Sequence, residues 1–125
     1  MIHKLGQIML YVNNQEQAVQ FWTTKLGFKV ISEEQMGEMR WIEVAPSDSG
    51  TSIVLHNKEL VAKMSPELHL GTPSLMFFSD NLEELYSSLT AKDVTVGEMV
   101  EMPTGKVFNF ADDEGNYFAV LEKKQ

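Results

Sequence analysis

The sequence predicts an α+β fold made of two tandem βαβββ modules. Three observations predict it: strand-like apolar runs recur at a nearly constant shift, a helical apolar pattern follows the first run of each half, and further strand-like runs close each half. The modules should cover about residues 4–56 and 73–123 of a single domain, with a linker at about 57–72.

The first strands of the two halves are alike. The run QIMLYVN from Gln7 resembles the run SLMFFSD from Ser74, a shift of 67 positions. Each run is rich in β-forming residues and ends in an Asx residue, Asn13 or Asp80, with a glutamate three positions later. That spacing is typical of a helix N-cap, so Asn13 and Asp80 are predicted to cap the two helices.

Each predicted helix carries an apolar stripe at helical spacing, and the first ends at a glycine suited to a C′ position. The residues concerned are Ala18, Phe21, Trp22, Leu26 and Gly27 in the first helix, and Leu82, Leu85 and Leu89 in the second.

The later strands also match between the halves. The shift of 67 places Trp41 opposite Phe108, and residues 51–55 match 116–120 after a two-residue deletion. The linker is amphipathic, which allows either a short helix or a dimer contact there.

Alternation along the strands sorts the side chains into two faces. One face is predicted to pack on the helix of its module, through Ile8, Leu10, Val12, Ile53 and Leu55 and through Leu75, Phe77, Phe118 and Val120. The other face mixes apolar and polar groups, which is typical of a ligand cavity, although a packed barrel interior is the alternative. Its candidate lining residues are Gln7, Met9, Tyr11, Trp41, His56, Ser74, Met76, Phe78, Phe108 and Tyr117.

The composition of the sequence limits the classes of molecule that the protein is expected to bind. The formal net charge of -8 disfavours nucleic acid, and the absence of cysteine excludes disulfides and thiolate chemistry. The apolar runs are too short to span a membrane, and the N-terminus does not resemble a signal peptide. We therefore expect a cytoplasmic protein that binds neither nucleic acid nor membranes.

Three motifs carry a family resemblance. They are an aromatic pair followed by Leu-Gly-Phe (residues 21–28), the strand RWIEVAP (40–46) and the turn DDEGN (112–116), in which Asp113 replaces a proline. With the duplication, they resemble the vicinal oxygen chelate superfamily, which includes glyoxalases, bleomycin-resistance proteins and extradiol dioxygenases. The resemblance implies a curved mixed sheet around a cleft, and a homodimer. Whether the modules pair within one chain or exchange between chains stays open.

The resemblance also implies four metal-ligand positions, one on the first and one on the last strand of each half. By register they are Gln7, Val54, Ser74 and Ala119. Valine and alanine cannot coordinate a metal, and an amide with one hydroxyl is too weak a donor set. The sequence is thus similar to a branch without the usual metal ligands, and no cofactor is predicted.

Three functions are considered on this basis. The first is metal-independent binding of a small molecule, possibly of the antibiotic- or drug-sequestering kind. The alternative is a glyoxalase-type metal-dependent lyase, isomerase or dioxygenase, in which His56 and Glu43 are the acid–base candidates. The third is a structural role in which the sheets form a dimer surface. A register slip that brings His56 into an atypical metal site also stays open.

Overall fold

The computed structural model describes residues 1–47 and 50–124. The first βαβββ module contains β1 (Gln7–Val12), α1 (Gln15–Gln20), β2 (Lys29–Met36), β3 (Met39–Ala45) and β4 (Ser52–Asn57), and the helix α2 (Lys58–Met64) follows it. The second contains β5 (Met76–Ser79), α3 (Leu82–Ala91), β6 (Val100–Met102), β7 (Gly105–Ala111) and β8 (Tyr117–Glu122). The predicted α+β class and the order of elements in each module are confirmed. The chain divides into two compact units, Met1–Thr72 and Pro73–Gln125.

The first unit holds a mixed four-stranded sheet in the order β1-β4-β3-β2, in which only β1 and β4 are parallel. The face that packs on α1 is apolar and buried, as predicted for Leu10, Val12, Ile53 and Leu55. At the edge of the β3–β4 ladder, the side-chain amide of Gln15 donates to the carbonyl oxygens of Arg40 and Leu55. This amide ties α1 to the sheet.

The helix caps differ from the prediction by one residue in each module. The side chain of Asn14, not Asn13, accepts a hydrogen bond from the amide of Gln17 at 3.0 Å. The side chain of Asn81, not Asp80, accepts one from the amide of Glu84 at 3.1 Å. A cap is defined by this bond to the third helical residue, and in both modules a second candidate follows the first.

The first helix changes character before it ends. It continues from α1 as a π-helical turn over Phe21–Lys25, which brings Phe21 and Trp22 into the core. The hydroxyl of Thr23 donates to the carbonyl oxygen of Val19 at 2.7 Å, a bond that competes with the helical ladder. Gly27 ends the segment with φ +76°, a conformation that favours glycine.

The linker between the predicted modules contains the short helix α2. The side chain of Asn57 caps it by accepting a hydrogen bond from the amide of Leu60 at 3.1 Å. Val61 is its buried residue, and Lys63 pairs with Glu59 on the exposed side. Of the two alternatives for this segment, the structure contains the short helix, and a dimer contact there stays a prediction.

The second unit repeats the arrangement, with a four-stranded sheet in the order β5-β8-β7-β6. Its core is formed by buried aromatic and aliphatic residues of β7, β8 and α3, namely Phe108, Phe110, Phe118, Val120, Leu82 and Leu89. The carboxylate of Glu122 accepts a hydrogen bond from the amide of Leu82 at 3.0 Å, at the start of α3. The end of β8 is thereby joined to the helix.

The shift between the two sheets is not constant along the chain. Pairing in each sheet gives a separation of 67 positions from Met9 to Met76, 66 from Glu43 to Asn109 and 65 from Val54 to Ala119. The two-residue deletion seen in the sequence is therefore taken in two single steps, one on each side of the third strand.

The predicted match of Trp41 with Phe108 is consequently wrong. Phe108 pairs with Val120 on the core face and meets Tyr86 of α3 with ring centroids 5.0 Å apart. Its counterpart in the first sheet is Ile42, which pairs with Leu55. Because side chains alternate along a strand, an error of one residue moves Phe108 to the opposite face.

Candidate functional site

The side of the first sheet that faces away from α1 gathers most of the predicted site residues of that module. The register places Gln7 opposite Ser52, Met9 opposite Val54 and Tyr11 opposite His56, and β3 adds Trp41 and Glu43 on the same side. We call these eight residues the first open face. It contains five of the predicted lining residues, and the acid–base candidate Glu43 lies on it beside Trp41.

Glu43 is the polar centre of the first open face. Its carboxylate accepts hydrogen bonds from the hydroxyl of Ser32 at 3.0 Å, from the amide of Gln7 at 3.3 Å and from the hydroxyl of Ser52. The hydrogen bond from Ser52 lowers the pKa of Glu43 below its ordinary value, helped by those from Ser32 and Gln7, although partial burial acts in the opposite direction. The carboxylate is thus ionised near neutral pH, and neutral donors hold it in place.

His56 is the centre of an adjoining aromatic group. Its ring stacks on Tyr11 with centroids 5.6 Å apart, and Trp41 approaches it edge-on at 6.4 Å. The Nε2 atom lies 3.1 Å from Sδ of Met9. The Nδ1 atom is buried and has no hydrogen-bond partner among the described residues. A buried ring nitrogen without a hydrogen bond lowers the stability of the fold.

The burial of His56 makes a pH-dependent stability the expected result. Burial lowers the pKa of His56, so the folded protein favours the neutral ring more than the unfolded chain does. The stability that the neutral His56 ring contributes is complete above the pKa of about 6.5 that histidine has in the unfolded chain. It is lost as the pH falls through the pKa of His56 in the folded protein. The urea concentration at the midpoint of unfolding should decrease when the pH is lowered from 7.5 to 5.5. The decrease should be smaller in the His56→Gln variant.

The comparison of wild type with His56→Gln separates this effect from an opposing one. Desolvation and the neighbouring Asp112 raise the pKa of Asp113 to about 6. The protonated Asp113 carboxyl therefore stabilises the fold at low pH, and this stabilisation is lost as the pH rises through about 6. Asp113 is the same in both proteins, and its effect cancels in the difference. An equal pH dependence of the two proteins would show that His56 titrates as it does in the unfolded chain.

The second sheet presents a different surface. Met76, Phe78 and Tyr117 are 55%, 62% and 58% exposed, and the ammonium of Lys123 lies 5.0 Å from the centroid of the Phe78 ring. Ser74 is exposed and precedes β5. Phe108, which was predicted to join this set, lies on the core face instead. Four of the five predicted lining residues of this module are therefore exposed.

The four positions that the resemblance assigns to a metal do not fit one. Val54 and Ala119 have no donor atom, and the Gln7 amide already donates to Glu43. His56 shares a face with Glu43, but its Nε2 lies against Met9. Across residues 1–47 and 50–124, no three histidine, aspartate or glutamate side chains come together at metal-binding distance. The donor set thus differs from the sets that divalent ions need.

Comparison with known proteins identifies the family. The sequence profile described as "Glyoxalase/Bleomycin resistance protein/Dioxygenase superfamily" matches residues 4–120. The uncharacterized protein YetH of Bacillus subtilis (strain 168) is 33% identical over 98% of this chain and 100% of its own length. The chain therefore belongs to the glyoxalase/bleomycin resistance protein/dioxygenase superfamily, as the three motifs indicated.

Solved structures agree with this assignment of the fold. TnmS3, an antibiotic binding protein from Streptomyces sp. CB03234, matches with a TM-score of 0.84 and 24% identity over 98% of both chains. A superfamily member from Sphaerobacter thermophilus DSM 20745 matches with a TM-score of 0.82 and 25% identity, again over 98% of both chains.

Within the described residues, no helix has the length and apolar character needed to cross a membrane.

The sequence marks Glu43 only as an acid–base candidate of the alternative enzyme, whereas the structure surrounds its carboxylate with Gln7, Ser32 and Ser52. One signal for it was present, because Trp41 and Glu43 alternate with Ile42 and Val44 in one strand. The donors come from three other strands, and that meeting could not be read from β3 alone.

Proposed function

We propose that the protein binds a small molecule without the help of a metal, and that the first open face holds it. The observation that carries the proposal is the group of rings formed by Tyr11, Trp41 and His56, which lies on the same face as the hydrogen-bonded carboxylate of Glu43. Aromatic surfaces with a few fixed polar groups are the usual composition of small-molecule sites.

The comparison with TnmS3 supports the same class of function. That protein is described as an antibiotic binding protein, and its fold matches along nearly the whole chain. We propose accordingly that the ligand is a planar aromatic compound of the kind found among antibiotics and drugs. The homodimer also stays a prediction, which light scattering at micromolar concentration tests.

Tryptophan fluorescence tests the proposed site directly. The sequence contains two tryptophans, Trp22 in the core and Trp41 on the first open face. In a Trp22→Phe variant, titration with planar aromatic compounds should give a saturable change in the emission of Trp41. The matched Trp41→Phe variant, which keeps only Trp22, should show no such change.

Two results would contradict the proposal. One is the absence of a saturable response to any compound of a broad panel. The other is stoichiometric nickel, zinc, manganese or iron in the purified protein together with turnover of a methylglyoxal–thiol adduct. That outcome would favour the glyoxalase-type enzyme instead.

A further inference from the structure

We propose that the ligand carries a positively charged group, such as a protonated amine, and that Glu43 is the residue that selects it. This inference rests on the proposed function and names the chemical class of the ligand. It depends on the charge of Glu43, on the neutrality of the groups around it and on the aromatic rings on the same face.

The charge of Glu43 is not matched by a cation of the protein. Its hydrogen-bond donors are an amide and two hydroxyls, all of them neutral. Arg40 is the single arginine of the sequence, and Glu16 and Glu33 bind it. Among the described residues, no lysine or arginine lies within ion-pair distance of Glu43. The carboxylate is therefore positioned but not neutralised.

The rest of the first open face suits a cation as well. Trp41 and Tyr11 present aromatic rings, whose faces attract positive charge. His56 between them is kept neutral by its burial, so it does not compete for the carboxylate of Glu43.

Covering the face with a ligand makes the charge of Glu43 decisive. A neutral ligand would remove water from the carboxylate and give nothing in return, which costs affinity. An anion would be repelled, whereas a cation would replace the lost water with an ion pair. The site should thus discriminate by charge between ligands of the same shape, and it should do so mainly by penalising the wrong ones.

Three tricyclic compounds of similar shape test this at pH 7.5: cationic 9-aminoacridine, neutral acridine and anionic 9-anthracenecarboxylate. Calorimetric titration at 0.15 M salt, which screens distant charges, should show the cation binding about 10-fold or more tighter than acridine, and the anion weakest. The Glu43→Gln variant should lose this preference, mainly because acridine and the anion bind it more tightly than they bind wild type. Glu38→Gln removes the same charge at the exposed β2–β3 turn and should behave like wild type.

Each outcome decides something different. Equal affinity of wild type for 9-aminoacridine and acridine would overturn the inference and leave the proposed function standing. Binding of none of the three compounds would overturn both. An unchanged preference in Glu43→Gln would show that another group selects the charge. If Glu43→Gln does not fold, the ranking of the three compounds on wild type still decides the question.

Discussion

Replacement of Trp22 by alanine is expected to lower the free energy of unfolding by about 3–5 kcal/mol. Trp22 is fully buried, and its ring meets Phe28 at 5.2 Å and Phe21 edge-on at 5.6 Å between centroids. Removing the indole would leave a large void, because Phe21 belongs to the π-helical turn and Phe28 directly precedes β2, so that both are held by the backbone and cannot move far inward. Urea unfolding followed by circular dichroism measures the loss.

A milder variant shows whether the void is the cause. Trp22→Phe keeps most of the apolar volume and should cost clearly less than Trp22→Ala. A loss below about 1 kcal/mol in Trp22→Ala would mean that the ring does not fill the core as the structure shows. The result also bears on the fluorescence experiment, which needs a folded Trp22→Phe protein.

Replacement of Trp41 by alanine is expected to weaken binding of 9-aminoacridine about 30-fold, which corresponds to about 2 kcal/mol. Trp41 is only partly buried, so its loss should remove ligand contact with little effect on folding. Calorimetric titration measures the affinity, and thermal unfolding checks that the variant is intact.

Met36→Ala provides the matched control for Trp41→Ala. Met36 is 71% exposed at the end of β2, where the strand turns back into β3, and its replacement should leave the affinity unchanged. Unaltered binding by Trp41→Ala would place the ligand elsewhere on the molecule. Loss of affinity in both variants would point to a general change of the β2–β3 hairpin.

The general fold could be predicted from the sequence because its signals are local and repeated. Apolar alternation, helical stripes such as Ala18 with Trp22, and Gly27 at the helix end each report on a short stretch of chain. The duplication then gave each signal twice. The caps were placed one residue early because adjacent polar residues, Asn13 and Asn14, both suit the role and only geometry distinguishes them.

The candidate site was predictable only in part. The alternation of β1 placed Gln7, Met9 and Tyr11 on one face correctly, since a regular strand keeps its period. The surroundings of Glu43 depend on which residues of other strands lie beside it, and that is decided by register rather than by local sequence. Phe108 shows the same limit, because a single missing residue changed its side of the sheet.

The sequence shift between equivalent strands of the two sheets changes along the chain, and this change decides which residues occupy equivalent positions on the two surfaces. Where the first sheet has Glu43, the second has Asn109, and the counterpart of Trp41 is Val107. The strand order is thus repeated in the two sheets, while their surfaces carry unlike chemistry. A protein engineered by repeating the first module twice would display two carboxylates, each with its own tryptophan, where this chain has one such pair.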